Sequence, residues 1–141
     1  MKPSFEHNEC KHCANRFNSV FCKMENDRME EIEAVKVCSI FKKGETVFRQ
    51  GTYASGVFCI NAGKVKLSMT GDEGRDQIVR LAKPGDIIGY KALLSSDRYS
   101  ATAVALEDTN TCFIPREIFM SILQKDATLS FEMMKVLSDE L

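Results

Sequence analysis

Pro84-Gly85-Asp86-Ile87-Ile88-Gly89-Tyr90-Lys91-Ala92-Leu93-Leu94, a short polar loop, and then Tyr99-Ser100-Ala101-Thr102-Ala103 form the stretch that decides the fold. A Pro-Gly-Asp turn delivers the chain into an apolar pair. Gly89 lets the backbone turn sharply, and a one-turn apolar segment follows before a strand of small residues returns. A glycine with exposed amides in such a turn is suited to cradling a phosphate.

On either side the chain is punctuated by turns. From Val37 to Ile114, glycines at 44, 51, 56, 63, 71, 74 and 85 separate β-rich runs such as Thr46-Val47-Phe48 and Val57-Phe58-Cys59-Ile60. Val65, Leu67 and Met69 alternate with Lys64, Lys66 and Ser68, the period of a half-buried strand. Gly71-Asp72-Glu73-Gly74 reads as a hairpin turn. Short strands with frequent turn signals predict an antiparallel barrel or jelly-roll. Before them, Asn26 or Asp27 can cap a short helix carrying Met29, Ile32 and Val35, with Glu30 three residues after Asp27 in capping-box fashion. After Pro115 the period becomes helical, first through Ile118, Phe119, Ile122 and Leu123. A last helix from about Thr128 carries two apolar stripes: Leu129, Met133 and Val136, and Met134, Leu137 and Leu141. One stripe can cover the β-region while the other faces a partner helix.

Bulk properties narrow the function. The 141 residues carry a net charge of −1, with 44% apolar and 28% charged residues, ordinary values for one globular domain. No basic stripe of the kind nucleic acid requires is present. No apolar run reaches membrane-spanning length, and Met1-Lys2-Pro3-Ser4-Phe5-Glu6 is no signal peptide, so the chain reads as cytoplasmic. Six cysteines in such a chain favour metal or redox chemistry over structural disulfides. Cys10 and Cys13 form a C-x2-C pair, with Cys22 after eight further residues, in a polar arm without a core of its own. Two thiolates at that spacing can grip one metal ion or one cluster edge. His7 precedes the pair, His12 lies within it, and either can complete a zinc site; the alternative is an arm of thiols holding no cofactor. Cys38 and Cys59, in apolar strand contexts, read as small packed hydrophobes. If Phe113 points into the core, strand alternation turns Cys112 towards the arm; if Cys112 shares the core with Ile114, it is no ligand.

Four pieces in order carry a family resemblance: Lys43-Gly44-Glu45-Thr46-Val47-Phe48-Arg49-Gln50-Gly51, Gly63-Lys64-Val65-Lys66-Leu67, the Gly89 turn with Ser100, and Leu106-Glu107-Asp108-Thr109 closing through Cys112-Phe113-Ile114-Pro115. Over roughly residues 37–141 the chain resembles the sensor half of the CRP/FNR superfamily of bacterial transcription regulators. The resemblance implies a mainly β fold with flanking helices: an antiparallel β-roll, the double-stranded jelly-roll of cyclic-nucleotide-binding domains, plus a C-terminal dimerisation helix. It divides the chain into an arm at 1–24, the β-roll with short helices at 25–125, and the start of the dimerisation helix at 126–141. The resemblance further leads us to expect that the family's helix-turn-helix domain is absent from these residues and that DNA is reached only through that domain. The implied assembly is a homodimer through Met134, Leu137 and Leu141.

The resemblance also implies a ligand pocket at Gly89, Tyr90, Lys91, Ala92, Arg98, Tyr99 and Ser100. The family's cAMP binders carry a Glu for the ribose just after the glycine and an Arg for the phosphate just before the Ser. Here Tyr90 and Tyr99 stand at those places, and cAMP is not expected. Arg98 lies one residue from the Arg position, which on a strand is the opposite face. Lys91 and Arg98 leave a different anion open as ligand. The oxygen-sensing branch holds a [4Fe-4S] cluster with three arm cysteines and one late in the roll, implying Cys10, Cys13, Cys22 and Cys112 here, with zinc as the lesser alternative. The interval to Cys22 is longer than in that branch's best-known members. No nucleophile motif, P-loop or placed carboxylate pair marks an enzyme. A cupin-like metalloenzyme needs strand histidines, and both histidines lie in the arm. A stand-alone ligand-binding or protein-interaction module is the remaining alternative to a regulator's sensor domain.

Overall fold

The computed structural model describes residues 36–139 except 72 and 96. The expected arm, its following helix, and Leu141 therefore lie outside the described residues. Two four-stranded antiparallel sheets face one another. The first runs β1 (Val37–Phe41), β8 (Thr109–Pro115), β3 (Gly56–Ala62), β6 (Ile87–Ile88). The second runs β2 (Thr46–Phe48), β7 (Thr102–Ala105), β4 (Val65–Thr70), β5 (Asp76–Ala82). This is the expected antiparallel β-roll, an open pair of sheets rather than a closed barrel. One-turn helix α1 (Tyr90–Leu94) sits between β6 and β7, and α2 (Arg116–Lys125) and α3 (Ala127–Asp139) follow β8.

Aromatic rings knit the interior. Phe113 of β8 lies 5.0 Å from Phe58 of β3, Phe58 lies 5.9 Å from Phe48 of β2, and Phe48 stacks on Tyr99 at 4.0 Å between centroids. The chain of rings crosses from one sheet to the other, so Phe58 and Phe113 point between the sheets. Their strand neighbours Cys59 and Cys112 then point out of the roll. That outer face carries fully buried Val57 and Ile114, paired in register, at the end where α2 packs on β3 and β8. β3 and β8 approach closely at Gly56. A Cβ there would lie 2.5 Å from the Phe113 ring and closer still to the Ile114 carbonyl.

The predicted alternation in β4 holds only for its first half. Ser68 is buried and Met69 exposed, and opposite the Leu67–Ser68 step β5 carries one extra residue, Val79, which shifts the β4–β5 register. In α3, Leu129 and Met133 are buried and Val136 packs against them, as the first stripe requires. Leu137 also packs against the core, and the outward residues are Phe131 and Met134. Asp126 starts this helix: its carboxylate accepts from the Leu129 amide at 3.0 Å, an N-cap bond.

Candidate functional site

Gly89 is at φ +91°, in the left-handed region, immediately before α1. Its backbone opens a cavity of about 330 Å³. Gly89, Tyr90, Lys91, Ala92, Tyr99 and Ser100 all line it. Arg98 is not among the lining residues. Its guanidinium donates to the Gly51 carbonyl at 2.8 Å, and its backbone bridges to Tyr53, on the face opposite Tyr99. The one-residue offset of Arg98 from Tyr99 thus puts its side chain outside the cavity, although this segment precedes β7 and is not itself a strand.

The floor is apolar. Tyr99 is 5% exposed, stacks on Phe48, and donates its hydroxyl to the Gly56 carbonyl at 2.9 Å. Burial raises its pKa above the usual phenol value, against the lowering effect of hydrogen bonds to Gly56 and Ser55. Tyr90 is 2% exposed. The two tyrosines thus fill space in the wall rather than presenting charge. Arg80, from β5, supplies a lining cation that reading along the turn alone does not reveal. It lies 3.5 Å from Asp86. With Lys91 it makes a cationic rim over an aromatic floor, and none of the described lining residues is a carboxylate. The loop is tied to the C-terminal helices by Arg116, the first residue of α2, which pairs with Asp97 and lies over the Tyr53 ring at 5.5 Å.

The second site is on the outer face of the first sheet. Cys38 of β1, Cys112 of β8 and Cys59 of β3 are register partners in one rung. Cys112 Sγ lies 3.4 Å from Cys38 Sγ. A bulge between Ile60 and Ala62 places Asn61 so that its side-chain amide donates to Cys112 Sγ at 2.9 Å. Burial pushes the Cys112 thiol up to about 11. The Asn61 bond and the charge of Lys36 act in the lowering direction, and Cys38 in the raising one. Cys112 therefore lies on the side opposite Phe113, as the first orientation has it, but on the side of the buried Ile114 and itself buried, as the second has it. Cys59 packs against the core, as a small hydrophobe does, whereas Cys38 contacts Cys112. Among the described residues no group of three or more His, Cys, Asp or Glu is arranged to hold a metal ion; Cys10, Cys13 and Cys22 lie outside them. The described strands carry no histidine; His7 and His12 lie outside the described residues.

Comparison with known proteins agrees with this architecture. Residues 39–126 match the cyclic nucleotide-binding domain family. The transcriptional activator protein FnrA of Stutzerimonas stutzeri is 31% identical over 134 residues, 92% of this chain and 54% of that protein. The transcriptional activator protein anr of Pseudomonas aeruginosa is 32% identical over 115 residues, 82% of this chain and 46% of that protein. The chain thus spans about half the length of the curated relatives it matches. The sensor domain of the transcriptional regulator DNR from Pseudomonas aeruginosa superposes with a TM-score of 0.81 at 22% identity, covering 93% of this chain and 89% of that one. The Thermus thermophilus catabolite activator protein superposes at 0.74 and 23% identity, covering 85% of this chain and 56% of that one. By the β-roll, the Gly89 turn and these matches, the chain belongs to the cyclic nucleotide-binding domain family.

Proposed function

We propose that this chain is the sensing and dimerising half of a CRP/FNR-type transcription regulator that acts in the cytoplasm, responds to redox state or oxygen, and reaches DNA through a separate domain. The sensing group is a [4Fe-4S] cluster held by Cys10, Cys13, Cys22 and Cys112. The observation that carries this reading is the orientation of Cys112: it points out of the roll, while its neighbour Phe113 joins the interior rings. The donor set is chemically suited to iron, since thiolates are the ligands such clusters take. Bound, the cluster would supply oxygen-labile iron–thiolate chemistry. The chain's own residues prepare the sulfur. The Asn61 amide donates to Cys112 Sγ, a contact that favours the thiolate, while burial keeps the thiol protonated near neutral pH. Ligation must displace that proton, so loading is favoured by higher pH. The output is a population shift in how the C-terminal helices pair.

Anaerobic reconstitution with iron and sulfide tests the assignment. Cluster absorbance is expected in the unmodified chain and in Cys59→Ser, and is expected to be lost in Cys112→Ser. Equal uptake by Cys112→Ser would exclude Cys112 as a required ligand.

The Gly89 cavity favours a second reading, a module that binds a small anion through Arg80 and Lys91. Inorganic phosphate should then raise the melting temperature of the chain, and the rise should vanish in Arg80→Ala. The same response in Arg80→Ala would remove this reading.

A further inference from the structure

Cys38 and Cys112 are far apart in the chain and adjacent in space. They are direct partners in the β1–β8 register, with 3.4 Å between sulfurs. Cα atoms of directly opposed residues in an antiparallel pair are about 4.5–5.5 Å apart, inside the span of about 4.4–6.8 Å that a disulfide bridges. A disulfide of about 2.0 Å requires the two sulfurs, now 3.4 Å apart, to approach, and the residues that carry them already stand opposite one another in register. The two thiols also differ in access: Cys38 is half-buried, and Cys112 is 7% exposed beneath the Asn61 amide.

From this geometry we infer that Cys38 and Cys112 form a reactive dithiol, a cross-strand redox site whose substrate is a small-molecule disulfide. The Cys38 thiolate, the more accessible sulfur, attacks one sulfur of the small disulfide. The S–S bond of the reagent breaks, one small thiolate leaves, and Cys38 holds the other half as a mixed disulfide. Cys112 then gives up its proton to solvent and attacks the Cys38 sulfur, expelling the second small thiolate. In the net reaction two protein thiols are oxidised by two electrons to one disulfide, and one small disulfide is reduced to two small thiols. The site stands on Cys38 and Cys112 alone and requires no cluster. Its consequence for the proposed function is competition, because a sulfur bound in the disulfide is withdrawn from iron.

The test treats the reduced, metal-free full chain with oxidised glutathione and maps the tryptic peptides. Residues 37–42 should be recovered disulfide-linked to residues 99–116, and dithiothreitol should separate them. The link should persist in Cys59→Ser and in a variant with Cys10, Cys13 and Cys22 all replaced by serine. In Cys112→Ser the reaction should stop with glutathione on Cys38. Cys112 linked instead to Cys59 or to an arm cysteine would overturn the inference. So would free Cys38 and Cys112 after a treatment that modifies the other cysteines. Cluster uptake by Cys38→Ser provides the separate control: it is expected to persist whether or not the disulfide forms, and its loss would count against the cluster ligand set instead.

Discussion

The Tyr99 hydroxyl donates to the Gly56 carbonyl at 2.9 Å, from the position where cAMP-binding relatives are expected to present a guanidinium. The bond joins the returning arm of the Gly89 turn to the start of β3. It also commits a buried acceptor. Removing the hydroxyl leaves the Gly56 carbonyl without this donor, and an unsatisfied buried group costs about 1–3 kcal/mol. Tyr99→Phe should therefore lower unfolding free energy in urea by about 1–2 kcal/mol. A change below a few tenths would show that the carbonyl is satisfied in another way.

The same relationship argues against cAMP. The phosphate would meet the Tyr99 ring, stacked on Phe48, and the ribose would meet Tyr90 instead of a carboxylate. Arg80 and Lys91 line the cavity but do not stand at position 99, so a cAMP phosphate seated against the neutral Tyr99 side chain would lack the cation the family places there, a loss of several kcal/mol in order of magnitude. Calorimetry should detect no micromolar affinity. Tyr90→Glu with Tyr99→Arg should move the pocket towards binding, at a cost in stability because both sites are buried. A micromolar affinity in the unmodified chain would contradict this account.

The β-roll was legible because glycine turns and two-residue alternation are local properties. What the sequence concealed depends on register. Met69 continues the alternation of Val65 and Leu67 and is nonetheless exposed, and the extra β5 residue Val79 opposite the Leu67–Ser68 step leaves no mark in the spacing of β4. Arg80 enters the cavity from β5, a different strand from the turn that announces the pocket. The Cys38–Cys112 contact depends on the pairing of β1 with β8, which no spacing along the chain encodes. Arg98 shows the converse: its one-residue offset from the expected arginine position is visible in the sequence, and it lies outside the cavity lining.

Gly56 offers a stability test of how closely β3 and β8 pack. An added Cβ would collide with the Ile114 backbone carbonyl and the Phe113 ring, and a carbonyl held in a sheet cannot move aside cheaply. Overpacking of this kind costs about 1–3 kcal/mol and sometimes more. Gly56→Ala should lose at least about 2 kcal/mol in chemical denaturation. A neutral substitution would mean that the two strands separate more easily than their register implies.

The thiol of Cys112 makes the chain sensitive to alkaline pH. Its pKa rises from an ordinary 9.0 to about 11 on folding, chiefly through burial. Between those values the unfolded chain has lost the proton while the folded chain retains it. The folded state then binds more protons, and stability falls as pH rises. The contribution is complete below about pH 9 and is lost as pH climbs towards 11. In metal-free protein Cys112→Ala should flatten this part of the stability curve. Alkylation of Cys112 in the folded chain should likewise accelerate up to about pH 11. A rate that levels off near pH 8 would contradict the assigned shift.

Homodimerisation through α3 is testable at Met134. Leu129, Met133, Val136 and Leu137 pack on the domain's own core, which leaves Met134, 57% exposed, and Phe131, 55% exposed, on the outer side of the same helix. Both line a surface groove with Lys135, Ser138 and Asp139. Fully burying a side chain of this size contributes about 1.5–3 kcal/mol. Pairing two copies buries each twice, because a two-fold interface uses the same residues from both partners. Met134→Asp removes that gain and opposes two carboxylates, so the dimer dissociation constant should rise at least about tenfold, equivalent to about 1.4 kcal/mol. Met134 is a cleaner probe than Leu137, whose replacement by aspartate would also disturb the core. Sedimentation equilibrium measures the change directly, and circular dichroism checks that the variant remains folded. A chain that stays monomeric at high concentration, with no response to Met134→Asp, would leave these two residues without a dimer interface to form.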